Sequence, residues 1–256
     1  MSVTDGAILF AVAIVAGAQN SIAGGGSFLT FPTLLFLGVP AVPANATNTV
    51  ALWVGSIASA AAYRQELKDH RKPLVLLTLV SVLGGLAGAF LLLRTPDEAF
   101  RGLIPWLLLI ATVAFAFGNR LVSLVRRGRP VEEPDRQAHA SVASLIAQFV
   151  IGIYGGFFGA GIGILMMAAL TVGGMTDVQA TIGLKNWLAT CINAVATVTF
   201  AVAGIVYWPQ ALVMLAGAVL GGYAGASLAR RLKPQVVRAF VVVIGTVLTV
   251  YFFVAG

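Results

Sequence analysis

The chain has 256 residues, 59% of them hydrophobic and only 10% charged, with a mean hydropathy of +0.96. A soluble domain of this length needs far more charge to cover its surface, so these values exclude an ordinary water-soluble globule. The net charge of +7 and pI near 10.1 would raise nucleic-acid binding in a soluble protein; here the basic residues read as loop charges that orient a membrane protein, and no nucleic-acid partner is expected.

Taken in chain order, apolar runs separated by breakers give five segments at 7–23, 28–39, 44–63, 73–93 and 103–117. Five more follow at 141–158, 164–172, 178–206, 209–228 and 236–254. The first run carries Asp5 and no basic flank, so it reads as a retained helix rather than a signal peptide. Runs able to span a bilayer recur to the end, which leaves no separate soluble domain, and the longest polar stretch, 119–138, reads as a loop. Cys191 is the single cysteine, and His70 and His139 both sit beside polar loops. Neither a disulfide, a metal centre nor a cofactor is expected.

The halves match each other. Gly17-Ala-Gln-Asn-Ser-Ile-Ala-Gly-Gly-Gly aligns with Gly152-Ile-Tyr-Gly-Gly-Phe-Phe-Gly-Ala-Gly, and Leu83-Gly-Gly-Leu-Ala-Gly-Ala with Leu220-Gly-Gly-Tyr-Ala-Gly-Ala. Small-residue matches alone carry little weight in membrane helices, but the same order of five segments in each half strengthens them. The second segment of each half is too short to cross: twelve residues make about 18 Å of helix against a hydrocarbon core of about 30 Å. Each follows a glycine cluster, Gly24-Gly25-Gly26 or Gly159-Ala160-Gly161-Ile162-Gly163. The expectation is a re-entrant hairpin that enters, breaks at the glycines and returns to the same side.

Loop charge tests that arrangement. One hairpin plus three crossings per half puts the halves in opposite orientations. With the N-terminus outside, loops 64–72, 120–136 and 230–238 fall inside with thirteen of the sixteen basic residues, while 94–101 and 206–210 fall outside with two. The basic residue left over is Lys185, about 10 Å down its helix from the segment start at Val178. Three readings stand open for it: snorkelling to the surface, a salt bridge to Asp177, or facing an anion. The glycine breaks favour the last, because each opens a short helix whose first N–H groups lack intrahelical partners and carry positive partial charge. Ser27 is placed to cap or line the first. Among the uncharged polar residues near the breaks, which include Gln19, Asn45 and Gln148, Asn48 and Asn186 occupy nearly corresponding positions, and each amide can donate two hydrogen bonds to an oxyanion.

Two stretches resemble a known family. Ala18-Gln-Asn-Ser-Ile-Ala-Gly-Gly-Gly-Ser-Phe-Leu-Thr-Phe-Pro, with Pro43-Ala-Asn-Ala-Thr-Asn, is similar to the first signature of the TauE/SafE sulfite exporters. Gly155-Gly-Phe-Phe-Gly-Ala-Gly and Ala180-Thr-Ile-Gly-Leu-Lys-Asn are similar to its counterpart, with Lys185-Asn186 standing where a Gly-Thr-Ser form is more usual. The resemblance implies a bacterial inner-membrane transporter of sulfite, sulfoacetate or another sulfur-containing anion.

The sequence thus predicts an all-α integral membrane protein of two inverted repeats, each a glycine-broken re-entrant hairpin plus three transmembrane helices. The repeats are 1–118 and 139–256, joined by a cytoplasmic linker at 119–138, with both termini outside. The expected activity is export by alternating access, with a passive anion channel as the alternative; no span holds the nucleophile, metal ligands or paired acids of an enzyme. The expected substrate-binding residues are Lys185, Asn186, Asn48, Thr47, Ser27, Gly25, Gly26, Asn20, Gly161 and Gly163. Expected partners are the small sulfur oxyanion and the lipid bilayer, with a homodimer left open.

Overall fold

The computed structural model describes residues 1–22, 25–62, 71–127, 142–175, 177–228 and 234–255, and these contain α-helices and no strands. The helices are α1 (Val3–Ile22), α2 (Ser27–Phe36), α3 (Ala41–Ala62), α4 (Arg71–Arg94), α5 (Asp97–Arg127), α6 (Val142–Phe157), α7 (Ile162–Val172), α8 (Val178–Val202), α9 (Trp208–Leu228) and α10 (Pro234–Ala255). Each matches an expected segment. His70, His139 and the loop stretches 63–70, 128–141 and 229–233 lie outside the described residues.

Two boundaries correct the sequence reading. The stretch from residue 119, expected as loop, opens as helix, because α5 continues to Arg127. Its run of Leu, Val, Ser and Arg favours helix and meets no Gly or Pro before Gly128, so polarity marked a charged helix end rather than a break. Similarly, α10 starts on Pro234, a residue suited to the first helical turn, and Arg238 lies inside the helix rather than in a loop.

Among the described residues, stretches of α1, α4 and α5 are long and apolar enough to cross a membrane: Val3–Asn20, Leu74–Arg94 and Asp97–Gly118. α3 and α8, at 22 and 25 residues, match them in length but carry Asn and Thr in their first halves. α2 and α7 have only 10 and 11 residues. The chain after α2 (Leu37, Gly38, Val39) lies across a small pocket from Met1, Asp5 and Leu9 at the start of α1. Likewise Gly173, just after α7, lies against Ser144 near the start of α6.

Glycine seams bind the halves together. α1 runs parallel to α9, with Ala13 against Gly217 and Gly17 against Ala218 and Gly222. α4 runs parallel to α6, with Gly84 on Gly152, Gly88 on Ile153 and Phe157, and a buried Gln148–Ser81 hydrogen bond of 2.8 Å in the seam. Gly17, Gly84, Gly88, Gly152 and Gly222 are among the glycines matched between the two halves in sequence, and small residues spaced four apart let helix backbones touch. α5 and α10 pack antiparallel, Trp106 by Phe253 and Thr112 by Gly245. Exchanging the halves maps α1–α9 onto α6–α4, α3–α9 onto α8–α4 and α5–α7 onto α10–α2, and all of these pairs are in contact.

A side chain at Gly156 would overlap the Gly85 carbonyl, backbone that cannot swing aside. Gly156→Leu is expected to destabilise the protein by about 1–3 kcal/mol or more, read as an earlier thermal midpoint in detergent. A variant that melts with the wild type would show the seam to be loose.

Candidate functional site

Each break is held by a side chain from its own first helix. Gly25 adopts φ +88°, open to glycine but strained for other residues, and its carbonyl accepts from Gln19 Nε2 at 2.9 Å. In the second half Gly159 and Gly161 take φ +82° and +78°, and Tyr154 Oη donates to the Ala160 carbonyl at 2.8 Å. Tyr154 is the residue aligned with Gln19, and Ala160 the one aligned with Gly25. The two halves therefore brace the same carbonyl with different chemistry.

Their helix starts differ. At the first break Asn20 Oδ1 accepts the Gly26 N–H at 2.7 Å, while Phe28 and Leu29 donate back to Gly25 and Gly26 at 3.0 Å. Most of the N–H groups expected to be free there are thus already bonded; Ser27 keeps its N–H and hydroxyl without a partner among the described residues, and the N-cap is Gly26, not Ser27. α7 opens on Gly161 with first-turn bonds of the same kind, Ile162 and Ile164 donating to Gly159 and Gly161 at 3.4 and 3.1 Å, but with no counterpart of Asn20 to accept from its first N–H. The Lys185 ammonium lies over it, beside Gly163: a Cβ built there would sit 3.7 Å from Nζ. Asp177 does not pair with Lys185. Its carboxylate caps α8 by accepting from Gln179 N at 2.8 Å and Ala180 N at 3.3 Å. Among the described residues Lys185 has neither an ion pair nor a hydrogen-bond acceptor, and the Arg101–Asp97 contact lies elsewhere.

Both breaks reach α5 near its middle. Gly25 faces Phe115 and Gly161 faces Ala111, one helical turn or about 6 Å apart along the axis. Beside them packs an aromatic cluster from both halves, with Phe28 on Phe115 at 5.6 Å, Phe31 on Phe158 at 5.5 Å and Phe100 on Phe157 at 5.4 Å, each edge to face.

The structure sorts the predicted residues into two groups. Asn20, Gly25, Gly26, Ser27 and Asn48 gather at α2, where the Asn48 carbonyl accepts from Thr30 Oγ1. Gly161, Gly163 and Lys185 gather at α7, with Asn186 next to Lys185 on α8. Thr47 joins neither: its buried hydroxyl accepts the Tyr207 N–H at 3.0 Å, ahead of α9. α3 and α8 cross where Thr190 meets Trp53 and Ser56, and Asn48 and Lys185 each precede that crossing by about 7 Å along their own helices.

The unpaired groups have a sign. Side-chain donors of Ser27, Asn48, Lys185 and Asn186 lack acceptors among the described residues, yet none is among the fully enclosed unpaired atoms. The unpaired acceptors nearby, Gln19 Oε1 and Asn45 Oδ1, are fully enclosed. Asn186 Oδ1 and the Ser27 hydroxyl oxygen are open acceptors as well, so the excess of donors at the breaks comes from Lys185 and Asn48, and that excess suits a ligand made of acceptors. Sequence reasoning missed Thr30, Tyr154 and Arg238 and did not foresee that Asn45 Nδ2 caps the last α6 carbonyl, Phe157, at 2.9 Å. The repeat alignment contained the signal for Tyr154, opposite Gln19.

Apolar spans packed around two glycine-broken helix pairs define a transmembrane protein, the class to which membrane transporters belong. The chain belongs to the sulfite exporter TauE/SafE family, whose model matches residues 9–252. It is similar to a probable membrane transporter protein of Haemophilus influenzae, 28% identical over 244 residues that cover 95% of this chain and 92% of the relative. It is also similar to the probable membrane transporter protein YfcA of Escherichia coli K12, 29% identical with 94% and 87% covered, and to YunE of Bacillus subtilis, 23% identical with 90% of each covered. No solved structure matches the chain.

Tyr154→Phe removes the donor to Ala160 and leaves a buried carbonyl unpaired. The expected loss is about 1–3 kcal/mol, measured by unfolding in detergent. Wild-type stability would mean that the second break needs no brace.

Proposed function

We propose that this protein is a secondary transporter that exports a small sulfur-containing anion, such as sulfite or an organosulfonate, across the inner membrane by alternating access. The observation that carries the reading is Lys185: an ammonium inside a membrane helix, without a counter-ion among the described residues, over the uncapped start of α7. A bound oxyanion would supply the missing charge. Gly161 and Gly163 would give backbone N–H groups, and Asn186, Asn48 and Ser27 neutral donors. Asn20, Gly25 and Gly26 would shape the first break, and Thr47 would brace the start of α9. Family membership supports a sulfur oxyanion, and the electrical gradient supports export: with the cell interior negative, each expelled negative charge gains about 2.3 kcal/mol per 100 mV.

In this reading the halves 1–118 and 139–256 are inverted repeats, each a re-entrant hairpin followed by three spans. Support comes from the helix pairs that interchange with the halves, from the parallel run of α4 with α6 after the intervening reversal through α5, and from the return of each short helix to the start of its partner. The basic loops then face the cytoplasm and both termini face outward.

Two measurements test this. Lys185→Ala should abolish sulfite efflux from proteoliposomes while yield and melting stay near wild type; wild-type efflux would remove Lys185 from the mechanism, and single-channel currents in place of saturable flux would make the protein a channel. With Cys191 replaced by Ser, a cysteine introduced at Ser123 should react with a membrane-impermeant thiol reagent only in opened cells. Labelling in intact cells would invert the topology.

A further inference from the structure

Loop-charge reasoning grouped Arg238 with the residues that merely orient the protein. In the structure it lies one turn into α10 with its guanidinium turned onto α5: Nε donates to the Phe115 carbonyl at 2.6 Å and Nη2 to the Ala116 carbonyl at 3.0 Å. The neighbourhood is the first glycine break. The Phe115 ring and Val241, one turn along α10 from Arg238, both face Gly25. A cation thus stands near the first break, as Lys185 stands at the second.

Bracing α5 does not account for the whole arrangement. The two bonds use one edge of the guanidinium and leave Nη1 and the second Nη2 hydrogen on the other. Arg120, one turn further along α5 from the accepting carbonyls, lies close enough to act on Arg238 electrostatically. The two like charges repel, and among the described residues no carboxylate pairs with either. Arg120 is exposed and Arg238 partly so, which opens the pair to solvent at the end of the molecule that the proposed topology turns to the cytoplasm. Two cations on neighbouring helices, with no carboxylate paired to either among the described residues, raise the positive potential at that end of α5 and α10.

We propose that Arg238, assisted by Arg120, is a second anion station at the mouth beside the first break. The free guanidinium edge takes two oxygens of a small oxyanion, the geometry at which Arg surpasses Lys. From there the anion passes inward to Ser27, Asn48 and Lys185. The inference rests on the anion-transport reading and adds an entry residue to it.

The test is sulfite efflux kinetics in proteoliposomes for the wild type, Arg238→Gln, Arg238→Lys and Arg120→Gln. Gln at 238 can still donate to the Phe115 carbonyl but carries no charge; Lys keeps the charge but loses the fork. Loss of a charge-assisted contact predicts a KM for Arg238→Gln about tenfold above wild type, with the maximal rate within about twofold. Arg238→Lys should fall between the two. Arg120→Gln, at an exposed position that does not brace α5, should raise KM about threefold, an increase that fades as salt screens the pair. Wild-type KM in both Gln variants, whether or not melting changes, would overturn the second station and leave the transporter reading intact. If Arg238→Gln does not fold, an unchanged KM in Arg120→Gln and Arg238→Lys overturns it equally. Absence of sulfite flux in the wild type would overturn the transport reading and this inference with it.

Discussion

In a bilayer the backbone has no water to bond with, so each N–H and C=O must find a partner inside the protein or reach a wet cavity. Most of this chain meets that demand by being helical. At the two glycine breaks it cannot, and much of the architecture answers to those few residues. Gln19 and Tyr154 hold one carbonyl at each break, Asn20 holds the Gly26 N–H, and Asn45 reaches from the first half to cap the end of α6 in the second. The broken backbone is held by polar side chains from three helices, α1, α3 and α6.

That requirement separates the two halves chemically while their packing stays matched. The first break is largely closed by its own Asn and by bonds within the first turn of α2. The second has first-turn bonds of the same kind but no Asn, and Lys185 stands beside it. A cation and free N–H groups attract the same kind of ligand, and their effects reinforce one another where little water competes. The matched frame therefore holds different groups at its two breaks: uncharged side chains directly at α2, with the Arg238 guanidinium further out, and the Lys185 ammonium directly at α7. Their contacts on α5 lie a single turn apart, and the glycine seams of α1 with α9 and α4 with α6 tie each half to the other.

The ten helices of the described residues, the two undersized ones and the matched halves were legible in the sequence, because apolar length and glycine clusters act locally: a run of twelve residues is too short to span wherever it is placed, and a glycine triplet weakens any helix. Loop charge carried the proposed orientation for a similar reason, since it depends on counting. Polarity misled where it marked the end of α5 as loop, since a charged helix end and a loop share a composition. What composition and spacing could not contain was partnership. Thr47 and Asn48 are neighbours on one helix, yet one bonds to the start of α9 and the other to Thr30. Asp177 stands two turns from Lys185, far for a direct pair, and the open N-terminus of α8 claims its carboxylate. Arg238 looked like one loop charge among several until α10 laid it against two carbonyls of α5. Hydrogen bonds run over a few ångströms between residues far apart in the chain, so only the tertiary structure decided which donors were consumed by the fold and which were left for a ligand.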